Sequence, residues 1–226
     1  MMPEEGPRPP PGEIPMADTL VLYEFGPTRS LRARWMLQEL EIPFEGVAVN
    51  LLAGEHRRPA FLELKPAGKL PVLVDGDIVV TESVAIVLYL AEKYPAKGFL
   101  PADPAGRAQV YRWLLFAATE LEQPLWRVAK HSFLYPEAVR LLADIELARS
   151  DFAPMAAVLE RHLDGREYAV GSQVSAADLV LAYTLDWANE LNWLADRPGL
   201  VAYMERMYRR PHAAQRIAQA RAAIGR

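Results

Sequence analysis

Lys65-Pro66-Ala67-Gly68-Lys69-Leu70-Pro71-Val72-Leu73, with Thr81-Glu82-Ser83 a few residues on, is the stretch on which the reading of this chain turns. A proline opening an apolar strand is unusual because it removes a ladder donor. The position makes sense if the Leu70–Pro71 bond is cis, turning the Leu70 N–H and C=O outward to pair with an extended ligand. Val72, Val74, Asp75-Gly76, Ile78 and Val80 read as a hairpin with a two-residue turn. Thr81 is then placed to cap a helix running to about Tyr94. Glu82 and Ser83 fall in its first turn, where free backbone N–H groups and the positive end of the dipole hold a carboxylate. The Ser83 hydroxyl adds a donor, and the Glu82 side chain suits an ammonium group. Carboxylate, ammonium and an exposed backbone edge together describe a site for an amino acid or short peptide.

Upstream, Leu20, Val21, Leu22, Tyr23 and Phe25 form a buried strand stopped by Gly26-Pro27. Ala33, Met36, Leu37 and Leu40 recur at helical spacing, so a helix opens near Thr28. Phe44 to Val49 suits a second strand and residues 57–64 a short helix. The order is β-α-β-α-β-β-α, a small sheet whose last two strands are antiparallel, forming an α/β domain over residues 16–95. Residues 1–15 hold six of the 19 prolines and no aromatic residue. They lack the basic start and apolar core of a secretory signal and read as a disordered leader, with Met16 as the working start.

Pro95 to Pro104 contains three prolines and a glycine, and no strand signal follows it. Residues 104–226 read as an all-α domain with helices at about 105–130, 136–163, 174–194 and 198–209 and a short terminal one. Pro124 should kink the first. Ser175-Ala176-Ala177-Asp178 has the form of a capping box with Asp178 in the usual Glu position, and Val174 and Leu179 occupy the staple positions around it. The arginines after Glu205 read as a solvated helix face.

The 226 residues, 51% hydrophobic and 24% charged, are enough for two globular domains. A net charge of −4 argues against a general nucleic-acid or anionic-membrane binder. Apolar runs fall short of a membrane span, which suits a cytoplasmic protein. With no cysteine, disulfides, thiolate metal sites and cysteine nucleophiles are excluded. His56, His131, His162 and His212 lie too far apart for a local metal motif, and no HExxH, GxSxG, Walker or GxGxxG pattern occurs, so no metal is expected. Any thiol chemistry must use a thiol carried by a ligand.

Gly54-Glu55-His56-Arg57-Arg58-Pro59-Ala60-Phe61, the 66–73 segment and Glu82-Ser83-Val84-Ala85-Ile86 jointly resemble the cytosolic glutathione transferase family, over essentially residues 18–210. The resemblance implies a thioredoxin-like N-terminal domain, an all-helical C-terminal domain, a homodimer and a role in detoxification. It implies glutathione as co-substrate lying along Leu70 and Pro71, with its γ-glutamyl end at Glu82 and Ser83. His56 and Arg57 then fall where the family often holds the glycyl carboxylate, and Lys69 where a side chain contacts the peptide. A cationic pair suits a carboxylate.

Such a reaction needs the glutathione thiolate. A free thiol has a pKa near 8.5, and lowering it by about two units takes roughly 2.7 kcal/mol. A hydroxyl donor and the start of the first helix can supply this together. Three hydroxyls compete: Tyr23, Thr28 and Ser30. Tyr23 lies twelve residues before Trp35, the spacing of tyrosine-type members, whereas the serine of serine-type members aligns with Pro27. Pro27-Thr28-Arg29-Ser30 resembles a bacterial PTRS variant in which Arg29 adds positive charge. Strand alternation sets Leu20 and Leu22 against Val21 and Tyr23 without saying which face is the cleft. The expectation is that Ser30 or Thr28, with the helix start, contributes more than Tyr23. The electrophile is expected between Phe25-Gly26 and the first long helix, near Tyr111 and Phe116. Two functions stay open. One is a transferase acting on small apolar electrophiles, with peroxide or disulfide reduction by two glutathiones as a variant. The other is a non-catalytic binding or interaction module of the same fold. Retention of Lys69, Pro71, Glu82 and Ser83 favours the enzyme.

Overall fold

Four strands and the helices that flank them form the N-terminal half of the structure, a computed structural model that describes residues 19–224. The expectations for residues 1–15 and Met16 lie outside the described residues. The elements are β1 (Leu20–Glu24), α1 (Ser30–Leu40), β2 (Phe44–Ala48), α2 (Pro59–Leu64), β3 (Val72–Asp75), β4 (Ile78–Thr81) and α3 (Ser83–Lys93). The sheet order is β2-β1-β3-β4; β1 pairs parallel with β2, and the other two pairings are antiparallel. Leu20 and Leu22 point to one face and pack with Ala33, Met36, Leu37 and Leu40 of α1 and Ile86, Val87 and Leu90 of α3. The other face carries Tyr23, Phe25, Val72 and Val74, covered by Phe61 of α2. This is the α/β thioredoxin-like arrangement expected.

Two local details differ from the sequence reading. Asp75 pairs with Ile78, so the hairpin turn is Gly76-Asp77, one residue later than expected, with Gly76 at φ +56°. That left-handed conformation costs glycine nothing. Thr81 pairs with Val72 in the ladder and is therefore unavailable as a cap; Glu82, at φ +69°, takes the cap position and Ser83 begins α3. Both Leu70–Pro71 and Gly26–Pro27 are cis.

The second half is helical: α4 (Pro104–Phe116), α5 (Glu122–Ala129), α6 (Leu142–Leu163), α7 (Ala176–Glu190), α8 (Pro198–Tyr208) and α9 (Ile217–Ile224). The expected helix over 105–130 is realised as α4 and α5 joined by a wide turn, Ala117–Leu121, in which the Glu122 N–H reaches back to the Ala117 carbonyl. Pro124 explains it: proline offers no N–H to Glu120 and its ring crowds that carbonyl, so the helix opens just upstream. Residues 136–141 are not part of α6, which begins at Leu142. Among the described residues, no helix is long and apolar enough to cross a membrane.

At the head of α7 the capping box forms as expected. Asp178 is fully buried and its Oδ2 accepts from the Ser175 N–H (2.8 Å) and hydroxyl (2.7 Å). Its Oδ1 accepts from the Ala169 N–H (2.7 Å) and the Tyr203 hydroxyl (2.6 Å), tying α8 to the same carboxylate. Of the arginines after Glu205, Arg209 and Arg221 are exposed as expected, but Arg210 and Arg216 are not part of a solvated face. Arg210 forks onto Glu39 of α1 at 2.7 and 2.8 Å, and Arg216 bonds both the buried Asp186 (2.7 Å) and Glu205 (2.8 Å). They fasten the C-terminal segment to α1 and α7.

Candidate functional site

The N-terminus of α1 carries a closed set of hydroxyl contacts. The Thr28 hydroxyl donates to the Phe25 carbonyl, and its oxygen lies 2.8 Å from that of Ser30. Ser30 is fully buried and accepts from the Phe25 N–H at 3.3 Å. A hydroxyl has one proton to give. With the Thr28 proton on Phe25, the Ser30 proton is the one that fills the bond between the two side chains. Ser30 therefore braces Thr28 from behind, and Thr28, half-buried, is the outer of the two. Phe25 keeps a second bond to its carbonyl from the Thr28 N–H (3.1 Å), so the Thr28 hydroxyl can turn away without orphaning it.

Tyr23 faces the α2 side of the sheet. Its ring meets Phe61 edge-on at 6.2 Å, and burial together with the Glu45 charge raises the phenol pKa.

The ligand-binding residues expected from the sequence converge on one rim. Gly68, at φ +58°, lies so close to the 55–57 turn that a Cβ there would sit 2.9 Å from the His56 carbonyl and 3.2 Å from the Arg57 guanidinium. This brings Lys69, Leu70 and Pro71 beside His56 and Arg57. Among the described residues the Leu70 N–H and C=O make no backbone hydrogen bond. Glu82 is solvent-facing, and its Oε1 accepts from the buried Lys65 ammonium at 2.6 Å. Lys65 thus holds the carboxylate that was expected to meet an ammonium on its own, and Oε2 has no hydrogen bond among the described residues. Arg57 and Lys69 are exposed. Burial, then the neighbouring Arg57 charge, lowers the His56 pKa, so the imidazole is neutral near pH 7.

Behind this rim lies a cluster that the sequence reading missed. Arg32 of α1 is 1% exposed, donates to the Ser83 hydroxyl at 3.3 Å and to Thr184 of α7 at 2.8 Å, and lies over the Tyr183 ring at 4.7 Å. It also pairs with Glu122 at the start of α5. Arg29 pairs with the other Glu122 oxygen and lies 4.4 Å from the Trp126 ring and 5.8 Å from Trp187. Burial alone would raise the Glu122 pKa, but Arg32 and Arg29 outweigh it and hold the carboxyl below its ordinary value. Arg29 is therefore not a free cation beside the helix start.

Among the described residues, Tyr111 and Phe116 make no hydrogen bond or ring contact with Phe25, Thr28 or Arg29. Tyr111 bonds Glu92 at 3.1 Å, near the far end of α3 from Ser83. Phe116 packs edge-on against Trp113 (5.2 Å), which itself stacks on His162 of α6. The aromatic side chains of the helical half that do reach Arg29 are Trp126 and Trp187, which meet each other edge-on at 6.3 Å. Phe25, by contrast, stays at the cleft beside Thr28.

Comparisons with known proteins match both halves of the chain. The glutathione S-transferase N-terminal domain matches residues 18–92 and the C-terminal domain residues 140–206. Glutathione S-transferase F9 of Arabidopsis thaliana is 32% identical over 211 residues, covering 88% of this chain and 98% of that protein. The chain belongs to the glutathione S-transferase family. Its enzyme class is accordingly that of a glutathione transferase, as expected from the sequence. The solved structure of the glutathione transferase URE2P5 from Phanerochaete chrysosporium superposes with a TM-score of 0.81 at 25% identity, covering 92% of this chain and 97% of that one. A Pseudomonas putida glutathione transferase with one glutathione disulfide bound per subunit has a TM-score of 0.78 at 22% identity, covering 93% of each chain.

Proposed function

We propose that this chain binds glutathione along its Leu70 edge and conjugates the thiolate to small, mostly apolar electrophiles. The observation that carries the proposal is the shared rim of Ser83 at the head of α3, Leu70 with its unpaired backbone groups, and Arg57 beside Gly68. Those donors suit a short peptide with a carboxylate at each end. The γ-glutamyl carboxylate takes the Ser83 hydroxyl and the first N–H groups of α3; its ammonium takes Glu82, steadied by Lys65. The cysteinyl backbone pairs with Leu70 next to Pro71. The glycyl carboxylate goes to Arg57 and Lys69, with the neutral His56 as a hydrogen-bond partner.

The sulfur then lies at the start of α1. Binding turns the Thr28 hydroxyl from the Phe25 carbonyl to the sulfur, while Ser30 continues to donate to the Thr28 oxygen and strengthens it as a donor. Together with the helix dipole this holds the thiolate, the thiol proton passing to water. The thiolate forms a carbon–sulfur bond with the electrophile, displacing a leaving group or adding to an activated double bond whose other carbon then takes a proton from water. Trp126 and Trp187 supply the apolar wall on the helical side. Exposed Leu52, Ile78, Val79 and Leu115 favour a homodimer.

The test is calorimetric titration with glutathione, followed by glutathione consumption across a panel of halogenated aromatics, activated alkenes and a hydroperoxide. Binding with turnover on the first two classes supports conjugation. Turnover on the hydroperoxide alone replaces it with reduction. Tight binding of apolar ligands without glutathione binding would sink the reading in favour of a binding module.

A further inference from the structure

We propose that Arg32 is a positioning residue for the γ-glutamyl carboxylate, acting through Ser83 and held in place by the helical domain; this rests on the glutathione reading above. Arginine has only donors, so the Ser83 oxygen must be the acceptor of the 3.3 Å contact. A serine hydroxyl that accepts from behind has its own proton left to give forward. No other hydrogen bond involves that hydroxyl among the described residues, and the open direction is the head of α3, where the carboxylate is placed. Arg32 thus fixes which way the Ser83 proton points and strengthens it as a donor.

Charge gives a second, independent argument. Arg29, Arg32 and Glu122 form a group of two cations and one anion, and the acids next to its other contacts in the chain are already engaged: Glu82, beside Ser83, with Lys65, and Asp186, two residues from Thr184, with Arg216. Arg32 is almost wholly buried, and a buried cation sharing its only carboxylate is electrostatically under-compensated. An anion arriving at Ser83 completes the set. The ligand's contribution is therefore part of the charge balance of this core, and the carboxylate nearest Ser83 is favoured over a neutral group.

The partners of Arg32 come from two helices of the other domain, Glu122 of α5 and Thr184 of α7. The helical half therefore takes part in holding the peptide without touching it.

The experiment compares two ligands by calorimetry on the full chain: glutathione, and the analogue 4-aminobutanoyl-cysteinyl-glycine, which lacks the γ-glutamyl carboxylate. Arg32→Met should weaken glutathione binding by roughly 10- to 100-fold and leave analogue binding within about 2-fold of the wild type's. In turnover the loss should fall on KM for glutathione, with kcat largely kept. On a Ser83→Ala background, Arg32→Met should cost less than it does alone. If Arg32→Met does not fold, Thr184→Val is read in the same comparison and should weaken glutathione alone, by about 3-fold. Equal loss for both ligands, or undiminished glutathione binding in the variant that folds, overturns the proposal. A wild type that binds neither ligand instead refutes the glutathione reading itself.

Discussion

Asp178→Asn isolates how much of the helical domain hangs on one carboxylate. The side chain is fully buried and accepts four hydrogen bonds at 2.6 to 2.8 Å, from Ser175 (two), Ala169 and Tyr203. Asparagine is the same size, so packing is preserved and no cavity opens. Its oxygen can keep the Ala169 N–H and the Tyr203 hydroxyl, but its NH₂ then faces the Ser175 N–H, donor against donor. The Ser175 hydroxyl can rotate to accept; the Ser175 N–H cannot. One orphaned buried N–H costs about 1–3 kcal/mol, and the loss of charge assistance in the remaining bonds adds roughly 0.5–1 kcal/mol each. The expected loss is about 2–5 kcal/mol, or a Tm lower by roughly 10 °C for a chain of this size. Urea unfolding followed by far-UV circular dichroism, at fixed protein concentration, measures it. A loss below about 1 kcal/mol with unchanged m-value would refute the reasoning, because it would mean that the Ser175 N–H finds another partner.

Thiolate absorbance against pH separates the activators: Thr28→Val should raise the pKa of bound glutathione by about one unit, and Tyr23→Phe by much less. If Tyr23→Phe alone returns the thiol to its solution value, the helix start is not the activator. Ser83→Ala should weaken glutathione binding more than His56→Ala, since a charge-assisted bond contributes about 1.5–3 kcal/mol and a neutral imidazole far less; calorimetry giving the reverse order would misplace the peptide. Glu122 has a folded pKa below its ordinary 4.5, so it adds stability above that unfolded value and loses it as pH falls through the folded one. The stability gap between wild type and Glu122→Gln should therefore be full at pH 7 and close only below the ordinary carboxylate range. A gap unchanged down to pH 3 would show that charge is not what Glu122 contributes.

What was legible in the sequence is what depends on neighbours along the chain. The Leu70-Pro71 strand entry, Glu82-Ser83 at a helix head, the Ser175–Asp178 box and the order of strands all rest on spacings of a few residues. The hairpin turn and the Thr81 cap were each misplaced by one position, because the register of β3 on β4 is fixed by pairing that no local pattern reveals. Arg32 escaped notice for a different reason. Its partners Ser83, Glu122 and Thr184 lie 51, 90 and 152 residues away, and an arginine beside apolar positions in a helix looks like a surface residue that keeps its charge in water. The same distance effect hid Trp126 and Trp187, which lie beside Arg29 from 97 and 158 residues away. Arg210 and Arg216 were misread because their acceptors, Glu39 and Asp186, sit on other helices.

The wide turn at Ala117–Leu121 has a consequence for how the cleft tolerates insertion and deletion. Each helical residue advances the azimuth by about 100°, so one residue more or less in a turn rotates everything after it by that angle. Glu122 and Trp126, four apart, share one azimuth, and it is the one that looks at Arg29. The wide turn, however, is what absorbs one extra residue: removing one there, such as Ala118, would restore ordinary winding with both still facing the arginine, whereas adding one would swing them away. The side of the cleft that Glu122 and Trp126 present to Arg29 is in that sense set by helix phase, and an insertion there is a more drastic alteration than most changes of residue.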